Sequence, residues 1–226
     1  MKPKAYVGAL QNLFADNANA EIASEQSKYM RDLFPFYGLK RPERNAIQRK
    51  FIDEQGIPES VQLAEVIRLC FAAEHRELHY FALDILKRRI RREDADFVNF
   101  LEELIQTKSW WDSVDYLASI CGVYFLNHPS LVPQITDHWI ESNNFWLNRV
   151  AIIFQLLYKD KTDEALLYRY IQRHAESNEF FIQKACGWAL RQHSKRNPKS
   201  VKRFVDENRL SPLTVREGLK HLNKNK

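Results

Sequence analysis

Apolar residues recur at helical spacing along almost the whole chain. Leu78, Phe81, Ala82, Ile85, Leu86 and Ile90 draw one stripe, with arginine and lysine on the opposite side. Phe97, Phe100, Leu101, Leu104 and Ile105 draw a second, and Leu147, Val150, Ala151, Phe154, Leu157 and Tyr158 a third. Over residues 60–73 the apolar positions Val61, Ala64, Ile67, Leu69 and Phe71 depart from a single stripe, which predicts a deeply buried helix. The breaks are short and polar: Gly56 and Pro58, Asn127-His128-Pro129-Ser130, Ser142-Asn143-Asn144, Ser177-Asn178 and Arg196-Asn197-Pro198. Ser211-Pro212 predicts an N-cap with proline in the first turn, where its missing N–H costs nothing. About a dozen helices of three to four turns follow from this pattern.

Two such helices with their turns occupy about 35–40 residues, the size of a HEAT-like repeat. The expectation is therefore an all-α fold, a right-handed α-solenoid of HEAT-like repeats with a concave basic face, in which residues 1–226 form a single domain. A generic helical bundle shares the local structure and differs in shape.

Composition sharpens this picture. The 226 residues include only 6 Gly and 8 Pro, too few for a turn-rich β protein, while 45% are hydrophobic and 28% charged. No apolar run approaches the roughly 20 residues of a membrane span. The start, Met-Lys-Pro-Lys-Ala-Tyr, leads into an amphipathic segment rather than a signal-peptide core. A cytoplasmic location is expected, and Cys70, Cys121 and Cys186, odd in number among apolar neighbours, read as buried free thiols. The net charge of +5 favours a polyanionic partner only mildly; its distribution matters more.

Three stretches carry candidate chemistry. In Ser109-Trp110-Trp111-Asp112-Ser113-Val114-Asp115, Ser109 and Asp112 have the spacing of a capping box, which marks a helix start. Asp115 lies one turn beyond Trp111 on the same side. A carboxylate beside an indole face suits a cation; the alternative is an Asp paired with a neighbouring Arg beside a core Trp. Lys184, Trp188, Arg191 and Lys195 share one helical face, and seven basic residues with no acid run from 184 to 205. Such a block reads as a phosphate-tracking patch or as a solvated basic face. Gly187 weakens this helix unless something must approach its backbone. Arg149 opens an otherwise apolar helix, positioned to fork onto a phosphate or to pair with Asp115. His75 and His79 stand at i,i+4 but lack the metalloprotease order and a nearby third ligand, so no metal is expected. Nor does any Gly-rich phosphate loop call for a cofactor.

These motifs resemble the AlkD-like DNA alkylation repair enzymes, a family of HEAT-repeat DNA glycosylases. The resemblance runs through Ser109–Asp115, Trp146-Leu147-Asn148-Arg149-Val150-Ala151 and Phe180–Arg191, and extends to Tyr29–Gly38 and Leu210–Leu213. It implies hydrolysis of the N-glycosidic bond of cationic N3- and N7-alkylpurines in duplex DNA, the opening step of base excision repair, by a monomer. It further implies that Asp115 is the catalytic carboxylate, that Trp111 and Trp188 border the lesion, and that Tyr29 contributes an aromatic ring from the N-terminal helices. Arg149 would hold the DNA backbone, with Lys184, Arg191 and Lys195 on neighbouring phosphates. The rival readings are a non-catalytic binder of DNA structures and a protein-binding helical scaffold.

Overall fold

The structure, a computed structural model, describes residues 1–225. Among them are thirteen α-helices and no strand, and none of these helices is long and apolar enough to cross a membrane. The chain divides into two compact units, Met1–Glu93 and Asp94–Lys226.

The first unit holds α1 (Pro3–Asp16), α2 (Ala20–Tyr29), α3 (Arg41–Gln55), α4 (Ser60–Ala72) and α5 (Arg76–Arg89). Proline opens the first turn of α1 and of α3, and the Asn19 side chain caps α2 by accepting from the Ile22 amide. α1 packs on α3 and α4, and α4 on α5, so that Leu10, Phe14, Phe51, Leu63, Ile67, Phe71 and Phe81 share one core. Every member of the stripe from Leu78 to Ile90 is buried. The helix expected to be deeply buried is instead one-sided: α4 buries Leu63, Val66, Ile67, Cys70 and Phe71, while Val61 is 83% exposed.

A buried acid holds the loop between α2 and α3. Glu77, with no exposed surface, accepts from the amides of Tyr37, Gly38 and Leu39 at 3.0, 3.0 and 3.3 Å. Gly38 has φ of 85°, and a Cβ there would lie 2.0 Å from the Asn19 carbonyl oxygen, so only glycine fits. His79 is committed to structure: its Nδ1 faces the Arg76 guanidinium at 2.9 Å and its Nε2 faces the Ala73 carbonyl at 3.0 Å. His75 stacks on Tyr37.

The second unit contains α6 (Val98–Gln106), α7 (Trp111–Asn127), α8 (Val132–Ile140), α9 (Phe145–Ile153), α10 (Glu164–Arg173), α11 (Phe180–His193), α12 (Pro198–Glu207) and α13 (Pro212–Leu219). α7 packs on α9, α9 on α11 and α11 on α13, which makes one layer of every second helix. α6, α8 and α12 pack against α7, α9 and α11 in turn. The helix-pair repeat is thus present, and Ser211 caps α13 with Pro212 in its first turn as the sequence implies.

Two local expectations are corrected. The capping box at Ser109 and Asp112 does not form, because Ser109 Oγ donates to the Ile105 carbonyl of the preceding helix. α7 begins at Trp111 with Trp110 as N-cap and no side-chain cap. Leu157 leaves its predicted stripe and is 65% exposed, because α9 tightens after Ile153 into a 3₁₀ turn over Phe154–Leu157. Cys70, Cys121 and Cys186 are all free and buried, and burial pushes their thiols well above the ordinary range.

Candidate active site

Aromatic pairs recur at 110–111, 145–146 and 180–181, a step of 35 residues each time, and each pair stands at the start of α7, α9 or α11. This period is a sequence signal that the motif reading did not use. It brings the starts of three layered helices together. Trp110 packs edge-on against Trp146 (6.0 Å between ring centroids) and against Phe181 (5.2 Å), and Trp146 lies 4.9 Å from Phe181.

Beside this aromatic cluster a single side chain ties all three helices. Arg149 of α9 donates from Nε to Asp115 Oδ1 at 2.7 Å and from Nη2 to Oδ2 at 2.9 Å. Its Nη1 donates to the Phe181 carbonyl of α11. The Arg149 side chain is 5% exposed and that of Asp115 20%. Of the two readings open for Arg149, the structure realises the ion pair with Asp115. Its fork is spent inside the protein, because an unpaired guanidinium at this depth is far costlier than a bidentate one.

The electrostatics of Asp115 are a contest. Burial raises its carboxyl above the ordinary aspartate value, the Arg149 hydrogen bonds and charge pull it back, and Asp112 adds to the rise; burial prevails. The fork takes one lone pair from each oxygen, leaving each with another. The result is a carboxylate fixed in orientation, partly stripped of water and still open on one edge.

Asn148, next to Arg149, has a different task. Its Nδ2 lies 2.8, 3.1 and 2.9 Å from the carbonyls of Trp139, Ile140 and Ser142, closing the C-terminal end of α8. The adjacent Asn and Arg thus divide the work: one seals a neighbouring helix, the other orients the acid.

The remaining candidates fall as follows. Trp111 opens α7, one turn before Asp115, and is half-buried; Trp188 on α11 is also half-buried. Tyr29 ends α2 in the first unit and is 71% exposed. Lys195 lies beyond the end of α11, in a turn rather than on the helical face, and donates to Gln192. Lys184 and Arg191 both pair with Glu217 of α13, at 3.1 and 2.9 Å. Arg196 lies 3.8 Å from Asp160, and Lys202 pairs with Asp206. The basic run is therefore partly neutralised by acids from outside it, which a local count of charge does not reveal.

Comparison with known proteins identifies the family. The model of the family described as DNA alkylation repair enzyme matches residues 10–222. A predicted DNA alkylation repair enzyme from Enterococcus faecalis is similar in structure, with a TM-score of 0.85 and 38% identity over 92% of this chain and 97% of that one. AlkD2 from Streptococcus mutans shares the fold at a TM-score of 0.60 and 16% identity, over 78% and 87% of the two chains. Smu.31 from Streptococcus mutans UA159 does so at the same score and identity, over 78% and 90%. No curated protein matches in sequence.

Proposed function

The chain belongs to the DNA alkylation repair enzyme family, and we propose that it is a monofunctional glycosylase releasing cationic N3- and N7-alkylpurines from duplex DNA. The observation that carries this reading is the Asp115–Arg149 fork, in which a desolvated carboxylate keeps one open edge.

The chemistry follows from the charge of the substrate. An N7- or N3-alkylated purine already carries a positive charge, so its leaving needs no general acid. The C1′–N bond breaks, the electron pair goes to the base, and the base departs neutral. Positive charge then grows on the deoxyribose. Asp115 offsets that charge, and its open edge orients the water that adds to C1′ and accepts the proton the water gives up. The two carboxylates of an ordinary glycosidase thereby reduce to one.

A raised carboxyl basicity suits this role, because a water-activating base gains strength as its proton affinity climbs. Arg149 limits the rise through its hydrogen bonds and charge. It is a positioning residue in this scheme, and its reach to DNA is secondary to its hold on Asp115. Trp111 and Trp188 offer π faces to a cationic nucleotide, each worth about 0.5–2 kcal/mol according to desolvation. Lys184, Arg191 and Lys195 supply the phosphate contacts.

The test is release of 7-methylguanine from methylated duplex DNA by the wild type and by Asp115→Asn. Release that survives Asp115→Asn at the wild-type rate refutes the mechanism. No release by either, with salt-sensitive DNA binding intact, favours the non-catalytic binder of DNA structures.

A further inference from the structure

Glu217 belongs to no motif singled out in the sequence, yet it meets both cations that flank Trp188. Lys184 and Arg191 stand four residues before and three after Trp188, on one face of α11. Their charged ends take opposite oxygens of the same carboxylate: Lys184 Nζ lies 3.1 Å from Glu217 Oε1, and Arg191 Nη1 lies 2.9 Å from Oε2. Glu217 is 12% exposed, against 37% for Lys184 and 30% for Arg191, so the acid is turned inward while both cations keep a solvent-facing side.

The fold makes room for this clamp on purpose-built terms. A Cβ on Gly187 would lie 2.6 Å from the Cβ of Glu217 and 3.1 Å from the Thr214 carbonyl oxygen. Gly218 gives a second close approach, where a Cβ would lie 3.1 Å from the Leu190 Cβ. Thr214 Oγ1 donates to the Gln183 carbonyl and fixes the register of α13 on α11. Glycine inside a helix costs stability, and here its absent side chain is what admits Glu217.

We infer that Glu217 is a positioning and specificity-determining residue, which holds Lys184 and Arg191 in place beside Trp188 and cancels one of their two charges. This rests on the DNA-glycosylase reading above. Two adjacent cations left unclamped would each reach for any nearby backbone phosphate, and binding to undamaged duplex would strengthen without regard to the lesion. With the clamp, one of the two charges is cancelled and both cations keep a set geometry. Each cation also retains N–H donors for a phosphate, since an ammonium has three and a guanidinium five.

The experiment measures affinity for undamaged duplex DNA from 50 to 200 mM salt, for wild type, Glu217→Gln and Lys184→Gln/Glu217→Gln, with folding checked by circular dichroism. Glu217→Gln should steepen the slope of log affinity against log salt by about 0.9, the release expected for one more phosphate contact, so that its advantage over wild type shrinks about threefold across that range. Its release of 7-methylguanine should also become more sensitive to undamaged competitor DNA. The double variant, which removes one of the two freed cations, should lose the steepening that Glu217→Gln alone produces. An unchanged slope in folded Glu217→Gln overturns the inference while leaving the glycosylase reading intact. Wild-type binding that ignores salt would instead refute the DNA reading itself. Should Glu217→Gln not fold, Gly187→Ala displaces the same acid without altering any charge: a steeper slope supports the clamp, and an unchanged one overturns it.

Discussion

Replacing Arg149 with methionine keeps much of the volume and removes the only charge that opposes the burial of Asp115. Three donations are lost, two to the carboxylate and one to the Phe181 carbonyl. Hydrogen bonds to charged groups contribute about 1.5–3 kcal/mol each, and breaking one partner out of a buried pair costs roughly 3–5 kcal/mol. Asp115 has an escape, however, because it can take up a proton. Its carboxyl is already above the ordinary aspartate value with Arg149 present, and loss of Arg149 drives it higher. An acid whose folded pKa is raised supports the fold below its unfolded pKa and loses that support as pH rises through the folded value. Between the wild-type and variant values only the variant binds the extra proton, so its stability deficit should widen by about 1.4 kcal/mol per pH unit. Urea unfolding at pH 5 and pH 8 compares the deficit on the acid and alkaline sides of neutrality. The acid limb of 7-methylguanine release should move to higher pH in the same variant. A deficit that is equal at both pH values, or an acid limb that stays in place, refutes the view that Arg149 governs the ionisation of Asp115.

Other substitutions separate chemistry from structure. Asp115→Asn should slow excision by about 10²–10⁴-fold, as loss of a positioned base does, while the salt slope of DNA binding stays as in wild type; a parallel loss of binding would contradict a purely chemical role. Trp188→Ala should cost roughly two- to thirty-fold in kcat/KM on cationic 7-methylguanine, the equivalent of one cation–π contact. The same change should leave binding of an uncharged analogue almost untouched, and equal losses on both would argue for simple packing. Asn148→Ala should lower stability by about 1–3 kcal/mol in urea unfolding, because three carbonyls at the end of α8 lose their shared donor. Excision at a temperature where that variant is fully folded should stay within a few-fold of wild type, which would distinguish it from Arg149→Met.

The helices were legible because their signals are local. The stripe from Leu78 to Ile90 is buried throughout, and Ser211 with Pro212 caps α13 as its spacing implies. Where a local signal had a non-local competitor, it failed. Ser109 has the spacing of a cap, but a carbonyl of the preceding helix takes its hydroxyl. Leu157 continues an apolar stripe in sequence, but the backbone tightens to 3₁₀ before reaching it. At the site, Asp115 and Arg149 were both visible as candidates, and their pairing stood as one of two options until the helices were placed. Glu217 was invisible for a different reason. It lies 26 residues from Arg191 and 33 from Lys184, and only the crossing of α11 and α13 joins them. The glycine that permits that crossing, Gly187, was the one hint, read as a close approach without a partner to name.

Asp115 and Glu217 obey one logic, applied in opposite directions. Asp115 is one carboxylate held by one guanidinium, so burial is left to win and the group becomes more basic. Glu217 pairs with two cations, and the Lys184 hydrogen bond with the charges of Lys184, Lys220 and Arg191 holds it below the ordinary glutamate range. On the glycosylase reading, the first is the group that accepts a proton from water, and the second holds cations instead. Under the proposed function, a cationic lesion asks for this division. It needs negative charge close to the sugar at the moment the bond breaks, and it gains nothing from a second proton-transfer group. It also needs the surrounding positive charge restrained, since free cations beside the lesion would repel the alkylated base they are meant to serve. Burial leads at Asp115 and the surrounding cations lead at Glu217, and that difference in the dominant cause sets the two acids apart.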